Sequence, residues 1–468
     1  MISNLNRLLS SKYLPYIFVV LCTAVYVSLT LNNNVWLDEA FTATLIRTDY
    51  GGVLTRSMND TLPPLYNLLL KLSTDIFGYR VPVMKLTSAF FMVLTMLCCA
   101  GCVRKRFGNL ASCLLILALT FMPCMMFYGV EIRMYSLGFF FATASGIYAY
   151  EIICDPCRKN CILFVLFSVG AGYSHHFAFV TAGFVYLWLL LYFIFYDRKN
   201  IKCWVYILLS TAVLYFPCLL VTLKQLKSVS GYFSMPDVTL SVFIKYMRYP
   251  YTTGFTPFSI FLSLYMVILF VRLCIKKDRT KEDLFSLACF LTYYGVLVFG
   301  TIISKLMTAN IFVDRYLFFS MGLLWLFFSI QTASFGKKTG YIVLFGEVLI
   351  GLFGYYAAYN SEYRGDPDRL ISYLNDNVKD GDILYTIEDA EGLALCLPFY
   401  DDRLTNIEDI KEVEENRKGH TVWVAVLDGY SSDNADDGIT DGRLMGQKLD
   451  PKGDYSFDRY DFSLYVME

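Results

Sequence analysis

The side chains that could transfer a proton or hold an anion lie in a few short clusters of this 468-residue chain. Two carboxylates are adjacent at Asp38 and Glu39, and a carboxylate and a guanidinium lie two residues apart at Glu131 and Arg133. A carboxylate can take a proton from an attacking hydroxyl, and a cation can hold the charge that develops on a phosphate leaving group. The residue types therefore predict Asp38 as a general base and Arg133 as a phosphate ligand.

Two further clusters carry groups that could bind an anion. His175 and His176 are adjacent, and Arg315 is followed by Tyr316. Arginine is favoured for phosphate because its planar fork donates two parallel hydrogen bonds. We therefore expect Arg133, Arg315 and the histidine pair to contact the phosphate leaving group.

The elements that position these clusters must be membrane helices. Hydrophobic residues make up 56% of the chain and charged residues only 17%, against about 25% charged residues in soluble domains. Uncharged runs such as Tyr13–Leu37 and Asn160–Tyr196 reach or exceed the ~20 residues that a membrane-spanning helix needs. The composition predicts a polytopic α-helical membrane protein and excludes a soluble enzyme, a secreted disulfide scaffold and a nucleic-acid-binding protein. The expected spans, about eleven, are roughly 14–31, 84–103, 109–128, 134–152, 160–175, 177–196, 203–223, 256–275, 284–304, 316–335 and 339–358.

Charge divides the chain into two predicted domains. Residues 1–359 carry a net charge of +14 and residues 360–468 a net charge of −15. We expect 1–359 to be the transmembrane catalytic body, with interfacial helices in a first outer loop at 32–83. Residues 360–468, with alternating helix-like and strand-like segments, are expected to form a small soluble α/β domain.

Basic residues in the short loops predict the orientation. Under the positive-inside rule, loops rich in lysine and arginine face the cytoplasm. This places the N-terminus inside, and an odd number of spans places the C-terminal domain outside. The expected location is a bacterial plasma (inner) membrane, with every catalytic cluster at the outer interface. The basic residues that define the inner side are Arg7, Lys12, Arg104, Lys105, Arg106, Arg158, Lys159, Arg198, Lys199, Lys202, Lys276, Lys277, Arg279, Lys281, Lys337 and Lys338.

Four motifs resemble those of GT-C glycosyltransferases of the family-39 type. This group includes the dolichyl-phosphate-mannose protein mannosyltransferases, and bacterial aminoarabinose-to-lipid-A transferases are similar. The resemblance covers about residues 1–335. The motifs are Trp36–Thr42, Asp60–Tyr66, the Glu-x-Arg-Met-Tyr block from Glu131 to Tyr135, and Asp314–Tyr316.

The resemblance implies an activity and a set of site residues. It implies a hexosyl- or pentosyltransferase that uses a polyprenyl-phosphate sugar at the non-cytoplasmic face, with inversion at the anomeric carbon, and acts on a protein, lipid or glycan acceptor. Asp38 is implied as catalytic base, with Glu39 as the second acid of the pair. The same motifs add a group of expected substrate-binding residues: Asp60, Glu131, Tyr135 and Tyr316.

One departure from the family pattern concerns the histidines. Bacterial relatives often have histidine just before Pro-Pro, where this chain has Leu62. The function of that histidine in donor or metal binding must be absent here, or be supplied by His175 or His176. Adjacent residues on a helix point about 100° apart, so the pair cannot easily share one metal ion. No cofactor is assigned, and a divalent metal stays an alternative that would need Glu39 or Asp60 as a further ligand.

Two other classes of membrane protein remain as alternatives. A transporter would carry ionisable residues near the bilayer midplane and related halves, and Glu347 is the main candidate for such a residue. A non-catalytic protein that binds a lipid-linked glycan could use the same polar clusters.

The orientation can be tested by cysteine labelling. A cysteine placed at Ser432 should react with a membrane-impermeant maleimide added from outside, and one placed at Lys337 should not, because the two positions lie on opposite sides of the predicted membrane. The unsubstituted chain, which has fourteen cysteines, is the reference for labelling. The reverse pattern would contradict the predicted placement of the catalytic clusters.

Overall fold

The structure is a computed structural model that describes residues 11–232, 237–307, 310–387, 391–407, 412–413, 419–428, 439–440, 443–444 and 447–467. Ser432 and most of the helix expected over 407–417 lie outside these residues. The chain divides into two compact units. The first, called the membrane unit, comprises 1–28, 48–73 and 85–358. The second, called the tail unit, comprises 29–47, 74–84 and 359–468.

Apolar sequence and helix-compatible spacing produce long helices through most of the chain. The helices up to residue 362 are α1 Leu14–Thr30, α2 Leu37–Leu45, α3 Tyr50–Asn59, α4 Leu65–Phe77, α5 Val81–Cys98, α6 Arg104–Phe121, α7 Met125–Val130, α8 Tyr135–Cys154, α9 Arg158–Ser174, α10 His176–Tyr196, α11 Ile201–Tyr232, α12 Leu240–Arg248, α13 Thr256–Ile275, α14 Lys281–Leu306, α15 Phe318–Ser334 and α16 Lys337–Glu362.

Every predicted span is helical over most of its length. Within the described ranges, eight helical segments are long and apolar enough to cross a membrane. One of them, Val81–Phe121, is interrupted at Gly108, whose φ is 87°, and covers the predicted span 84–103 and most of the predicted span 109–128. The remaining two predicted spans are α1 and α9, which are shorter at 17 residues each. The prediction of a polytopic helical membrane protein is confirmed.

The first outer loop is helical, as expected, but its first interfacial helix is divided. The sequence pattern over 40–58 predicts one helix, whereas the structure has α2 and α3 with a break between them. Asp49 causes the break because its side chain accepts a hydrogen bond from the Gly52 N–H at 2.8 Å and caps the start of α3.

Helices α8 and α15 lie at the centre of the membrane unit and are almost wholly buried. They approach closely because glycines face the partner helix: a Cβ at Gly322 would overlap Thr143, and one at Gly138 would overlap the Phe319 ring. Small residues at such contacts let membrane helices pack through their backbones. The starts of the two helices are therefore held side by side, with Tyr135 and Phe319 ring centres 5.9 Å apart.

The C-terminal residues form a seven-stranded sheet in the order β2-β1-β3-β7-β6-β5-β4. Strands β2, β1 and β3 are parallel, and the other neighbours are antiparallel. The remaining elements are α17 Pro367–Asn377, β1 Ile383–Ile387, α18 Glu391–Tyr400, β2 Thr405–Ile407, β3 Val422–Leu427, β4 Ile439–Thr440, β5 Arg443–Leu444, β6 Gln447–Phe457 and β7 Tyr460–Met467. This agrees with the expected small α/β domain. The predicted organisation into a catalytic body at 1–359 and a soluble domain at 360–468 stays a prediction.

Asp382, at the start of β1, ties the parallel part of the sheet together. Its carboxylate accepts hydrogen bonds from Trp423 Nε1, Lys379 N and Thr421 N, each at 3.0 Å. Burial alone would raise the pKa of Asp382, but these hydrogen bonds outweigh it and the pKa lies below its ordinary value. The charged form is therefore the one that stabilises the sheet.

Candidate active site

The turn between α7 and α8 carries Glu131 and Arg133. Its backbone is fixed from the buried side, because Ser88 Oγ donates to the Glu131 carbonyl at 2.6 Å and is itself bonded to the Tyr66 hydroxyl at 2.7 Å. Glu131 is 3% exposed. Tyr135, the first residue of α8, is also buried and packs against Tyr128 and Phe319. Tyr135 therefore belongs to the packed wall behind the turn.

His175 lies between α9 and α10 and is 1% exposed. Its Nδ1 accepts a hydrogen bond from the Phe177 N–H at 3.0 Å, so the proton of the neutral ring is assigned to Nε2. This Nε2 is buried and has no hydrogen-bond partner among the described residues. The ring stacks on Phe319, with ring centres 4.4 Å apart, and lies against Tyr316. His175 therefore presents a fixed N–H donor that is able to serve a bound molecule.

The Phe319 ring packs against both His175 and Tyr135, and Tyr135 is two residues after Arg133. Tyr316, next to Arg315, lies against the His175 ring. Arg315 belongs to a short helical turn, Asp314–Leu317, that leads into α15 and is braced by the Asp314 side chain accepting the Arg315 N–H at 2.9 Å. The membrane unit thus brings together Arg133, His175 and Arg315, which are far apart in the sequence.

His176 has a different environment from His175. Its Nε2 is 3.2 Å from the carbonyl oxygen of Thr61 in the first outer loop. The neighbouring Gln225 reaches the same loop, where its Nε2 donates to the carbonyls of Ser57 and Leu62 at 3.1 and 2.9 Å. These contacts indicate that His176 holds the loop.

Asp60 lies in this loop at the end of α3. One oxygen of its half-buried carboxylate accepts a hydrogen bond from the Thr61 hydroxyl at 3.3 Å. Over the described ranges, no group of three histidine, cysteine, aspartate or glutamate side chains has the spacing of a metal site.

A cavity of about 420 Å³ opens beside the two histidines. Five polar residues of its lining, called the polar end, contact one another or the same outer loop: Thr61, His175, His176, Gln225 and Tyr316. Tyr215 and Thr222 are further polar residues of the lining. Most of its remaining wall is apolar and includes Phe177, Phe179, Val180, Phe299, Ile303 and Ile311. A cavity with one polar end and apolar walls suits an amphipathic molecule with a charged head and a hydrocarbon chain.

Gln225 and Thr61 are the site residues that sequence reasoning missed. Gln225 is a single amide near the end of a long apolar helix, and it is 1% exposed. A polar side chain next to an apolar run is an available signal, but its partners lie more than 160 residues away.

Asp38 and Glu39 belong to the tail unit, on helix α2. Glu39 is 4% exposed, and its carboxylate accepts the Trp36 N–H at 3.2 Å, which caps the start of the helix. Asp38 is half-buried, and its carbonyl accepts the Thr42 hydroxyl at 2.9 Å. The two acids therefore have distinct environments. Their convergence with the arginines and histidines stays a prediction.

Comparison with known proteins agrees with the motifs. The family described as dolichyl-phosphate-mannose-protein mannosyltransferase matches residues 61–222. ArnT from Cupriavidus metallidurans bound to undecaprenyl phosphate has a similar fold, with a TM-score of 0.65 and 12% identity over 96% of this chain and 97% of that chain. The apo state of that ArnT gives the same values. A comparison with curated proteins finds no match. The predicted resemblance to GT-C glycosyltransferases and the predicted fold class are confirmed.

Proposed function

Because the chain has the fold of a GT-C glycosyltransferase, we propose that it moves a hexosyl or pentosyl group from a polyprenyl-phosphate sugar to an acceptor hydroxyl. The acceptor is a protein, lipid or glycan at the outer face of a bacterial plasma membrane. The observation that carries the proposal is the His175 ring, which lines the cavity, contacts Tyr316 next to Arg315, and has a buried Nε2 without a hydrogen-bond partner among the described residues. Together with Arg133 and Arg315, His175 would supply three donors, which suits a phosphate.

The proposed reaction is an inverting displacement at the anomeric carbon. The acceptor oxygen forms a bond to this carbon while the bond from the carbon to the phosphate oxygen breaks. Asp38 takes the acceptor proton, and the polyprenyl phosphate leaves with the bonding electron pair. Arg133, Arg315 and His175 stabilise the negative charge that grows on the phosphate. Such electrostatic stabilisation of the transition state is usually the largest contribution to the rate enhancement.

The apolar part of the cavity supports a lipid-linked donor. The walls formed by Phe179, Val180 and Ile303 would shield the first isoprene groups from water while the phosphate remains at the polar end. ArnT with the similar fold is bound to undecaprenyl phosphate, which has this combination of charged head and hydrocarbon chain.

Replacing Asp38 with asparagine tests the base. The amide keeps the shape of the side chain but cannot accept a proton, so sugar transfer should fall by about 100-fold or more while folding and donor binding are retained. Transfer from a radiolabelled polyprenyl-phosphate sugar would be measured with purified protein. Glu39→Gln is the matched control and should lose less, because glutamine can still accept the Trp36 N–H.

Activity of Asp38→Asn within a few-fold of the parent would contradict the assignment of the base. A parent protein that binds the donor and transfers no sugar would support the alternative of a lipid-glycan-binding protein.

Replacing the arginines tests the phosphate site. Arg133→Lys and Arg315→Lys keep the charge and lose the planar fork, so each should reduce transition-state stabilisation by about 1–3 kcal/mol. Glutamine at either position should reduce turnover further. Arg272→Lys is a matched control, because Arg272 donates to Ser334 at the other end of α15. Normal donor kinetics with lower thermal stability in both glutamine variants would show that these arginines are structural.

His175→Asn tests the Nε2–H donor itself. Asparagine can still accept the Phe177 N–H but has no group at the position of Nε2, so KM for the donor should rise about 10-fold or more with the loss of a charge-assisted bond. His176→Asn is the control and should affect the order of the outer loop more than donor affinity. Unchanged donor kinetics in His175→Asn, with a fold that matches the parent, would refute this role.

A further inference from the structure

Both ends of helix α2, which carries Asp38, are held by residues from 359–468 within the tail unit. A nine-residue helix is too short to be stable by itself in water, because nucleation is costly. Its position must therefore come from tertiary contacts. The contacts at its two ends show that residues from 359–468 supply this support.

Asn34 forms the first anchor, just before α2. It is 2% exposed. Its Nδ2 donates to the carbonyls of Glu362 and Arg364 at 2.7 and 2.9 Å, and its Oδ1 accepts the Asp458 N–H at 3.0 Å. One side chain thus joins the segment that precedes α2, residues 33–36, to two separate stretches of the C-terminal residues.

Tyr400, the last residue of α18, adds two hydrogen bonds to the same segment before α2. Its hydroxyl accepts the Val35 N–H at 3.3 Å and donates to the Asn33 carbonyl at 3.0 Å. Burial raises the pKa of Tyr400 well above its ordinary value, so the hydroxyl keeps the proton that it donates. The guanidinium of Arg459 lies over the Trp36 ring, 4.5 Å from its centre.

Arg47 forms the second anchor, just beyond the other end of α2. Its Nη2 donates to the Phe399 carbonyl at 2.8 Å, and its Nε donates to the Tyr79 hydroxyl at 3.1 Å. Tyr79 in turn donates to the Ala43 carbonyl, within α2, at 2.8 Å. The last turn of α18, at Phe399 and Tyr400, therefore contacts residues that flank α2 on both sides.

We propose that the C-terminal domain positions the general base. The end of α18, together with Glu362, Arg364 and Asp458, forms a clamp that holds α2 at both ends. Asn34, Tyr400 and Arg47 are then positioning residues for Asp38. This inference rests on the proposed function. Catalytic groups must be held within about 0.5 Å of the productive geometry. A clamp at only one end would let a short helix pivot, whereas a clamp at both ends defines its position and its rotation.

Two substitutions remove the hydrogen bonds that the end of α18 contributes to the clamp and keep the packing. Tyr400→Phe removes the hydroxyl, and Arg47→Met removes the hydrogen bonds while keeping an apolar side chain of similar length. Each should lower kcat by about 10-fold, and the double variant further, because a misplaced catalytic group loses rate steeply. KM for the lipid donor should stay within about two-fold, because donor binding is not changed. Backbone hydrogen–deuterium exchange of residues 37–45 should become faster in the full-length protein.

Asp382→Asn is the matched control within the same domain. The hydrogen bonds of the Asp382 carboxylate go to Lys379, Thr421 and Trp423. This variant should speed exchange in β1 and β3 and leave both kcat and the exchange of residues 37–45 as in the parent. A fall in kcat in this control as large as that in Tyr400→Phe would overturn the specific role of the clamp.

The remaining outcomes separate this inference from the proposed function. A parent that transfers no sugar would overturn the proposed function and the role of α2 in catalysis along with it. An active parent, with parental kcat in the double variant, would overturn the positioning role alone. Unchanged exchange of residues 37–45 in the double variant would show that the clamp does not hold α2. Faster exchange together with lower kcat and unchanged KM would support the proposal.

Discussion

The close contact between α8 and α15 is the interaction on which the geometry of the membrane unit depends. In a lipid environment, apolar side chains gain little from leaving the solvent, so helices associate through close packing instead. Gly138 and Gly322 permit this approach, because a methyl group at either position would overlap the facing helix. Since both helices are rigid, their starts are held side by side. The turns that carry Arg133 and Arg315 are thereby brought near His175, whose ring contacts both Tyr316 and Phe319.

The cost of placing charge in hydrocarbon explains where the polar groups lie. Charged residues within a span are expensive, so the arginines occur in turns and short helical segments at the ends of long apolar helices. The cavity beside His175 follows the same division, with most of its hydrogen-bonding groups at the polar end and a mostly apolar wall elsewhere. A molecule that has its own charged head and apolar tail matches this arrangement without leaving a buried polar group unsatisfied.

In two pairs of adjacent residues, the two members have different environments. Glu39 caps helix α2, and His176 contacts the outer loop, so each of these side chains stabilises the local fold. Asp38 is half-buried, and the buried Nε2 of His175 has no hydrogen-bond partner among the described residues. His175 precedes helix α10 with an extended backbone, whereas His176 begins that helix, so the two rings have different neighbours. Doubling of a residue type in a motif therefore need not mean that both members act on the substrate.

The sequence by itself determined the helices, the spans and the identity of the chemical groups, because hydropathy and residue type are local properties. The motifs around Arg133 and Arg315 could be found in this way, and so could the apolar strands β1 and β3. The sequence did not predict β6, because Gln447–Phe457 is largely polar and is a strand only through its pairing with β7. Only the tertiary structure decided that the two histidines line the same cavity and that His176 contacts Thr61 of the outer loop. It also decided that Gln225 donates a hydrogen bond to the Leu62 carbonyl and that the Tyr400 hydroxyl accepts one from the Val35 N–H, just before α2. These are contacts between residues separated by more than one hundred positions, and they depend on how the helices pack, which no local pattern of residues encodes.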